Sequence, residues 1–144
     1  MMVAATLSAF LAGVATYYFT KELNAEASVQ QQYVAAVQDF AATGARVDAA
    51  VTTLADATVD ADEVNAAKKE ARQAIAAHAA STLALEPVVG EGNVKAYLTG
   101  VADMRDLVDH TDSVAAARRA SRGRFALIQN RNSVIAEARK NIYD

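Results

Sequence analysis

The first twenty residues constrain this chain more than any other stretch does. Met1 to Thr20 contains no charged residue and no proline, and Lys21 and Glu22 follow it directly. A helix rises about 1.5 Å per residue, so twenty residues span roughly 30 Å, the thickness of a bilayer's hydrocarbon core. We therefore predict a transmembrane anchor over residues 1–22, which makes the chain a single-pass membrane protein.

Three other interpretations of this segment stay open. The small-x-small pattern at residues 25–27, before Ser28, has the form of a signal-peptidase site, although no basic residue precedes the apolar run. The many alanines also allow a buried helix of a soluble fold. A helix lying flat on a membrane is disfavoured because the stretch has no polar face.

Small residues recur every fourth position in the predicted anchor, at Ala5, Ala9 and Gly13. In lipid, small residues let two helix backbones approach closely, and this packing drives association. We therefore expect these three residues to pack against the transmembrane helix of a partner protein or of a second copy. The alternative is that alanine is simply abundant in this chain.

The charges beside the predicted anchor give a weak orientation signal. Lys21 is the basic residue that follows the apolar run directly, and no basic residue precedes it. Because basic residues are retained on the cytoplasmic side, the following domain is expected in the cytoplasm.

The composition after the anchor predicts an all-α fold. The 144 residues contain one proline, six glycines and no cysteine, so β-turn signals are scarce, and disulfides and thiolate metal sites are excluded. Residues 23–144 are expected to form an up-down four-helix bundle with short connections. The predicted helices span residues 24–58, 61–84, 93–109 and 113–142, and Glu86 to Gly92 is expected to be a loop.

Apolar residues recur at helical spacing in each predicted helix, which defines the expected core. In the first helix the steps alternate between four and three, as in helices that pack lengthwise on one another. The expected core residues of the four helices are Tyr33, Val37, Phe40, Gly44, Val47, Val51 and Leu54; Val64, Ala67, Ala71, Ala74, Ile75 and His78; Val94, Tyr97, Leu98, Val101, Met104 and Val108; and Ala117, Phe125, Ile128, Ile135 and Ile142.

No catalytic set is apparent in the sequence. Glu-x-x-His pairs, a phosphate-binding glycine loop and a partnered nucleophile are all missing, and the two histidines belong to different helices. We therefore expect no enzyme activity, no cofactor and no bound metal. His78 is expected to be a hydrogen-bonded core histidine. The alternative is a small ligand held in the core beside His78, Tyr33 or Tyr97.

Acidic residues concentrate at the end of the third predicted helix, where oxygen ligands could in principle hold calcium or magnesium. The spacing is not that of an EF-hand loop. A solvated acidic face that also supplies N-caps to the next helix is the simpler interpretation. The residues concerned are Asp103, Asp106, Asp109, His110 and Asp112.

The last predicted helix is basic. Residues 115–144 contain seven basic and two acidic residues, and Arg118, Arg119, Arg122 and Arg124 are the candidate contacts for an anionic partner or for lipid headgroups. The alternative is that they compensate the acidic third helix within the fold. Nucleic acid is not expected as a partner, because the arginines are not accompanied by a platform of aromatic residues on which bases could stack.

These features predict a non-enzymatic, membrane-anchored helical protein that works by protein-protein interaction. Its expected role is that of an accessory or scaffolding subunit, a structural protein of a larger membrane assembly. The expected partners are membrane lipid and transmembrane helices of other proteins or of further copies. A ligand-binding sensor bundle and a viral or secretion-machinery membrane component are the alternatives.

Overall fold

The part of the chain that the structure, a computed structural model, describes is almost entirely helical and contains no strand. That part comprises the backbone of residues 2–57 and 61–143 and the side chains of residues 24–57, 61–113 and 115–143. The prediction of an all-α fold is confirmed. The helices are α1 (Met2–Asp56), α2 (Ala61–Leu83), α3 (Glu86–Val89), α4 (Glu91–Asp109) and α5 (Val114–Tyr143).

The chain divides into two compact units, Met1–Val34 and Ala35–Asp144. The predicted boundary between anchor and bundle lies earlier, at residue 22, and the segments on its two sides are expected to form one nearly continuous rod or to meet at a bend near Asn24 to Ser28. In the structure both segments belong to α1.

The predicted anchor, residues 1–22, lies outside the residues whose side chains are described. Ala5, Ala9 and Gly13 belong to this stretch. Within the described part, no helix combines the length and the apolar character that a bilayer crossing requires.

The four long helices of the second unit form a bundle in which α2 and α4 run antiparallel. Arg72, early in α2, contacts Asp109 at the end of α4, whereas His78, later in α2, contacts Tyr97 near the start of α4. The end of α1 is antiparallel to α2, because Thr43 meets His78 across the short connection between the two helices.

Helix α5 closes the bundle by packing antiparallel to both α4 and α1. Its Gly123 approaches Leu107 late in α4, and its Leu127 approaches Gly100 earlier in α4. Arg124 contacts Thr52 on α1, and Arg131 approaches Gly44 earlier in α1, so the direction is antiparallel there too.

The core of the second unit largely follows the predicted apolar stripes. The expected stripe of α1 is buried from Val37 to Leu54, and that of α4 is buried at five of its six positions. Burial of these side chains supplies the main driving force for the fold. The fully buried side chains of largest volume are Phe40, Leu54, Leu85, Met104 and His78.

The segment expected to be a loop contains the short helix α3. Pro87 occupies a position in its first turn, where a missing N–H costs no hydrogen bond. Val88 and Val89 are buried, so the turn packs its apolar side against the bundle. Gly90 then adopts φ 83°, which favours glycine, and α4 begins two residues earlier than predicted.

The predicted core face of α5 is wrong, because the helix is rotated about its axis and buries a neighbouring face. Phe125, which was predicted to be buried, is 57% exposed. Ile128, Ile135 and Ile142 are only partly buried. The residues of α5 that are buried are Ala116, Ala117, Ala120, Leu127 and Ala138.

Candidate functional site

The interior of the bundle contains a layer of polar side chains around His78, which we call the histidine layer. His78 is fully buried, and its ring stacks on Phe40 with 4.8 Å between ring centroids. Its Nδ1 lies 2.9 Å from the Thr43 hydroxyl, and its Nε2 lies 2.7 Å from the Tyr97 hydroxyl. The Ser81 hydroxyl lies 2.6 Å from that of Thr43. Three helices, α1, α2 and α4, therefore meet through one imidazole.

One arrangement of protons satisfies every group of the histidine layer. The Tyr97 O–H donates to Nε2 of a neutral imidazole, and Nδ1–H donates to the Thr43 oxygen. The Thr43 hydroxyl donates to the carbonyl oxygen of Asp39, 2.9 Å away. The Ser81 hydroxyl donates either to Thr43 or to the carbonyl of His78. Both ring nitrogens are thus used within the fold, as predicted for a hydrogen-bonded core histidine.

The histidine layer favours the uncharged imidazole. Burial and, to a smaller extent, the positive charge of Arg131 lower the pKa of His78 from 6.5 to about 4. Burial also raises the pKa of the Tyr97 hydroxyl, which therefore stays protonated and able to donate. Protonation of Nε2 would place an N–H group opposite the Tyr97 hydroxyl. It would also remove the lone pair to which this hydroxyl donates.

Beside this layer, α1 and α5 share a charged cluster formed by Asp48, Arg124 and Arg131. Arg131 Nη2 donates to Asp48 Oδ2 at 2.6 Å, and the two side chains are only 11% and 21% exposed. Arg124 donates to the Asp48 carbonyl oxygen at 3.3 Å and to the Thr52 hydroxyl. The cluster therefore ties α5 to α1 through charged groups.

Three atoms of the charged cluster are buried without a hydrogen-bond partner among the described residues, namely Asp48 Oδ1, Arg124 Nε and Arg131 Nη1. A buried polar atom without a partner costs about 1–3 kcal/mol. Of the two guanidinium groups, that of Arg131 contacts the Asp48 carboxylate, whereas that of Arg124 contacts the Asp48 backbone carbonyl. The cluster is thus a less favourable way to join two helices than an apolar seam, and it makes α5 distinct from the other helices.

Because Gly44 has no side chain, it leaves space for Arg131 in the charged cluster. A Cβ atom at this position would come within 2.6 Å of the Arg131 side-chain Cδ and would also collide with Nη1. The glycine therefore lets the arginine side chain lie across α1 and reach Asp48, one turn further along the helix. This contact accounts for a glycine in the middle of a long helix, where it costs about 1 kcal/mol relative to alanine.

The predicted anionic contacts of α5 separate into two groups. Arg118, Arg119 and Arg122 are exposed, whereas Arg124 turns toward α1 and joins the charged cluster. Arg131 was not among the candidates, although it is the more deeply placed of the two inward arginines. The signal that could have identified both is their spacing of seven residues, which places them in line with Ala117 and Ala138.

The acidic group at the end of α4 is partly engaged by neighbouring bases. Arg72 Nε contacts Asp109 Oδ1 at 2.5 Å, and this hydrogen bond is the main reason why the pKa of Asp109 is lowered. His110 caps the end of α4 through the carbonyl of Asp106. In the described part of the chain, no three histidine or acidic side chains converge in the manner of a metal site.

Two surface grooves border α4. One, of about 180 Å³, lies between α2 and α4 over an apolar floor that includes Ile75, Leu98 and Val101. The other, of about 230 Å³, lies between α4 and α5 beside Gly100 and Gly123. Neither groove is lined by a histidine or by a hydroxyl and base that could act together.

Comparisons of the chain with protein-family models, with curated proteins and with solved structures find no significant match.

Proposed function

We propose that this protein is a single-pass, membrane-anchored helical bundle that acts by association, as a non-enzymatic accessory or scaffolding subunit of a larger membrane assembly. The observation that carries the proposal is the uncharged run from Met1 to Thr20, which has the length of a bilayer crossing. Its abrupt end at Lys21 and Glu22 favours a cytoplasmic position for the bundle.

Association, rather than chemistry, is supported by how the bundle uses its polar groups. The imidazole of His78 is hydrogen-bonded on both nitrogens within the fold. Asp48 and Arg131 are paired with each other. Groups that are committed to holding helices together are poorly placed to bind and transform a substrate.

The proposed contact with partner helices in the membrane uses Ala5, Ala9 and Gly13. A Gly13→Leu substitution adds a bulky side chain to this face and should keep a partner backbone at a distance. Ala15→Leu adds similar bulk to the other side of the same helix and is the matched control.

The experiment extracts the full chain in mild detergent and measures the mass of the extracted particles by light scattering and crosslinking. The unaltered chain and Ala15→Leu are expected in particles heavier than one chain, and Gly13→Leu is expected to be shifted toward the single chain. A clean monomer that needs no detergent would overturn the proposal. A small molecule that co-purifies with a defined absorbance would instead favour a sensor bundle.

A further inference from the structure

A second stripe of residues with alternating steps of four and three runs along the exposed side of α5. All eight of its residues are exposed, so no other part of the second unit covers them. We call this stripe the outer face of α5. Its residues are Arg118, Arg122, Phe125, Gln129, Asn132, Ala136, Arg139 and Tyr143.

The outer face and its flanks are strongly basic. Residues 115–136 contain five arginines and no acid, and Arg139 and Lys140 follow. Within the described part of the chain, the ion pair that α5 makes is that of Arg131 with Asp48 on α1. Arg118, Arg119 and Arg122 make no ion pair with a described residue of α4, although α4 and α5 pack side by side.

Two exposed aromatic side chains lie on the same outer face. Phe125 is 57% exposed and Tyr143 is 68% exposed. The Arg124 guanidinium lies 5.0 Å from the centre of the Phe125 ring, and Arg122 precedes the ring by about one helical turn. Exposed aromatic rings interspersed with basic residues are typical of helices that lie at the boundary between lipid headgroups and acyl chains.

We propose that the outer face of α5 docks on an anionic lipid surface, with its arginines at the headgroups and Phe125 inserted below them. Arg118 and Arg139, near the two ends of the outer face, lie about 30 Å apart along the helix, so both can contact one flat surface. The inference rests on the proposed function, because the anchor would hold the bundle near such a surface. It also requires α1 to bend between residue 22 and Gly44, because α5 packs antiparallel along α1 from Gly44 to Thr52.

A partner helix and nucleic acid fit the outer face less well. Between its two ends the face offers Gln129, Asn132 and Ala136, which give a partner helix little apolar area to bury. The chain as a whole is acidic, with a sequence pI near 5.3, and the face has no series of aromatic rings on which bases could stack. A planar anionic surface requires neither a groove nor a continuous apolar seam.

A tryptophan at position 125 provides the test, because the natural chain contains none. The full chain carrying Phe125→Trp is reconstituted into phosphatidylcholine vesicles that contain a brominated lipid as quencher, with or without phosphatidylserine. We expect tryptophan quenching and a blue-shifted emission only when phosphatidylserine is present, with reversal at high salt because the attraction is electrostatic.

Two controls separate docking from general proximity to the membrane. Thr99→Trp places the reporter on an exposed position of α4 and should give the same emission in both kinds of vesicle. Neutralising Arg118, Arg119 and Arg122 to glutamine in the Phe125→Trp chain should abolish the response to phosphatidylserine.

Equal quenching with and without phosphatidylserine, or a response that survives the neutralisation, would overturn the inference. So would a reporter that responds to a polyglutamate peptide but not to phosphatidylserine, since this would identify an acidic protein as the partner. Flotation of the same vesicles reports anchoring separately, so a chain that fails to float contradicts the proposed function rather than this inference.

Discussion

At the scale of single residues, Gly44 and Arg131 depend on each other. Adding a methyl group at Gly44 would raise the helix propensity of α1, but it would also push Arg131 away from Asp48. The displaced ion pair outweighs the gain of about 1 kcal/mol in propensity. We expect Gly44→Ala to lower the free energy of unfolding by about 1–2 kcal/mol, measured by urea unfolding of the full chain followed by circular dichroism.

Gly100 provides the matched control for this prediction. A Cβ atom there would lie 3.7 Å from the Leu127 side chain, which is ordinary contact. Gly100→Ala is therefore expected to stabilise the protein by about 0.5–1 kcal/mol. Equal effects of the two substitutions would contradict the role assigned to Gly44.

The histidine layer predicts a specific pH dependence of stability. Since the pKa of His78 is near 6.5 in the unfolded chain and about 4 in the folded one, the unfolded chain binds the extra proton first as the pH falls. The contribution of neutral His78 to the free energy of unfolding is complete above about pH 6.5. It is lost progressively as the pH falls, and at about pH 4 the free energy of unfolding has decreased by roughly 3 kcal/mol.

Replacing His78 by glutamine removes this titration and keeps a side chain that can both donate and accept hydrogen bonds. The loss of unfolding free energy between about pH 7 and pH 4 should be smaller in His78→Gln than in the unaltered chain by roughly 3 kcal/mol. Carboxylates titrate in the same range, so the difference between the two chains is the informative quantity. Identical pH profiles would show that His78 does not carry the effect.

The sequence predicted the role of His78 but not the residues that bind it. An apolar stripe on α2 that includes a histidine indicates a core position, and a core histidine needs partners. Neither Thr43 nor Ser81 belongs to a predicted apolar stripe, and Thr43 lies 35 residues before His78 in the sequence. These partners are defined by how α1 packs on α2, which the spacing within one helix does not contain.

At the scale of helices, α5 shows where apolar spacing misleads. Its aromatic and β-branched residues predict a core face through Phe125 and Ile128, yet the helix is rotated so that alanines and two arginines face inward. The arginines are accepted there because Asp48, Thr52 and Gly44 on α1 provide charge, hydrogen bonding and space. A pattern that counts every arginine as exposed cannot find this arrangement.

The charged cluster leads to a prediction about how α5 is held. Arg131→Met should leave the Asp48 carboxylate without its partner and lower the free energy of unfolding by about 3 kcal/mol. Adding Asp48→Leu removes the stranded charge and fills the same space with apolar atoms. The double variant should therefore recover the lost stability, since apolar pairs often equal or exceed buried ion pairs.

Urea unfolding of both single variants and of the double variant measures this coupling. If the double variant were as unstable as Arg131→Met alone, the cost would come from lost packing of the arginine rather than from an unpaired carboxylate. Far-ultraviolet circular dichroism should show the same helix content in all variants.

The short helix α3 illustrates a second limit of sequence patterns. Proline and glycine in Glu86 to Gly92 predict an irregular connection, and Gly90 does adopt the positive φ that such a connection needs. The pattern misses that Val88 and Val89 can be buried if the four residues before Gly90 make one helical turn. Asn141 at the end of α5 donates to the Val88 carbonyl and holds this turn in place.

At the scale of the whole molecule, composition was sufficient to predict helices, because a chain rich in alanine with one proline has few other choices. The regular stripes of α1 and α4 were sufficient to predict most of the core. The proposed role is built from two parts of the chain, the uncharged start and the basic outer face of α5. Both would place the bundle against lipid.

The retention of the chain in native membranes during an alkaline carbonate wash tests the central claim most directly. The full chain is predicted to stay in the membrane pellet until detergent is added, as is Ala12→Leu. Ala12→Asp should be released, because a charge at the centre of a spanning helix costs about 2.5–3.5 kcal/mol. An unaltered chain that washes into the supernatant without detergent would contradict the account.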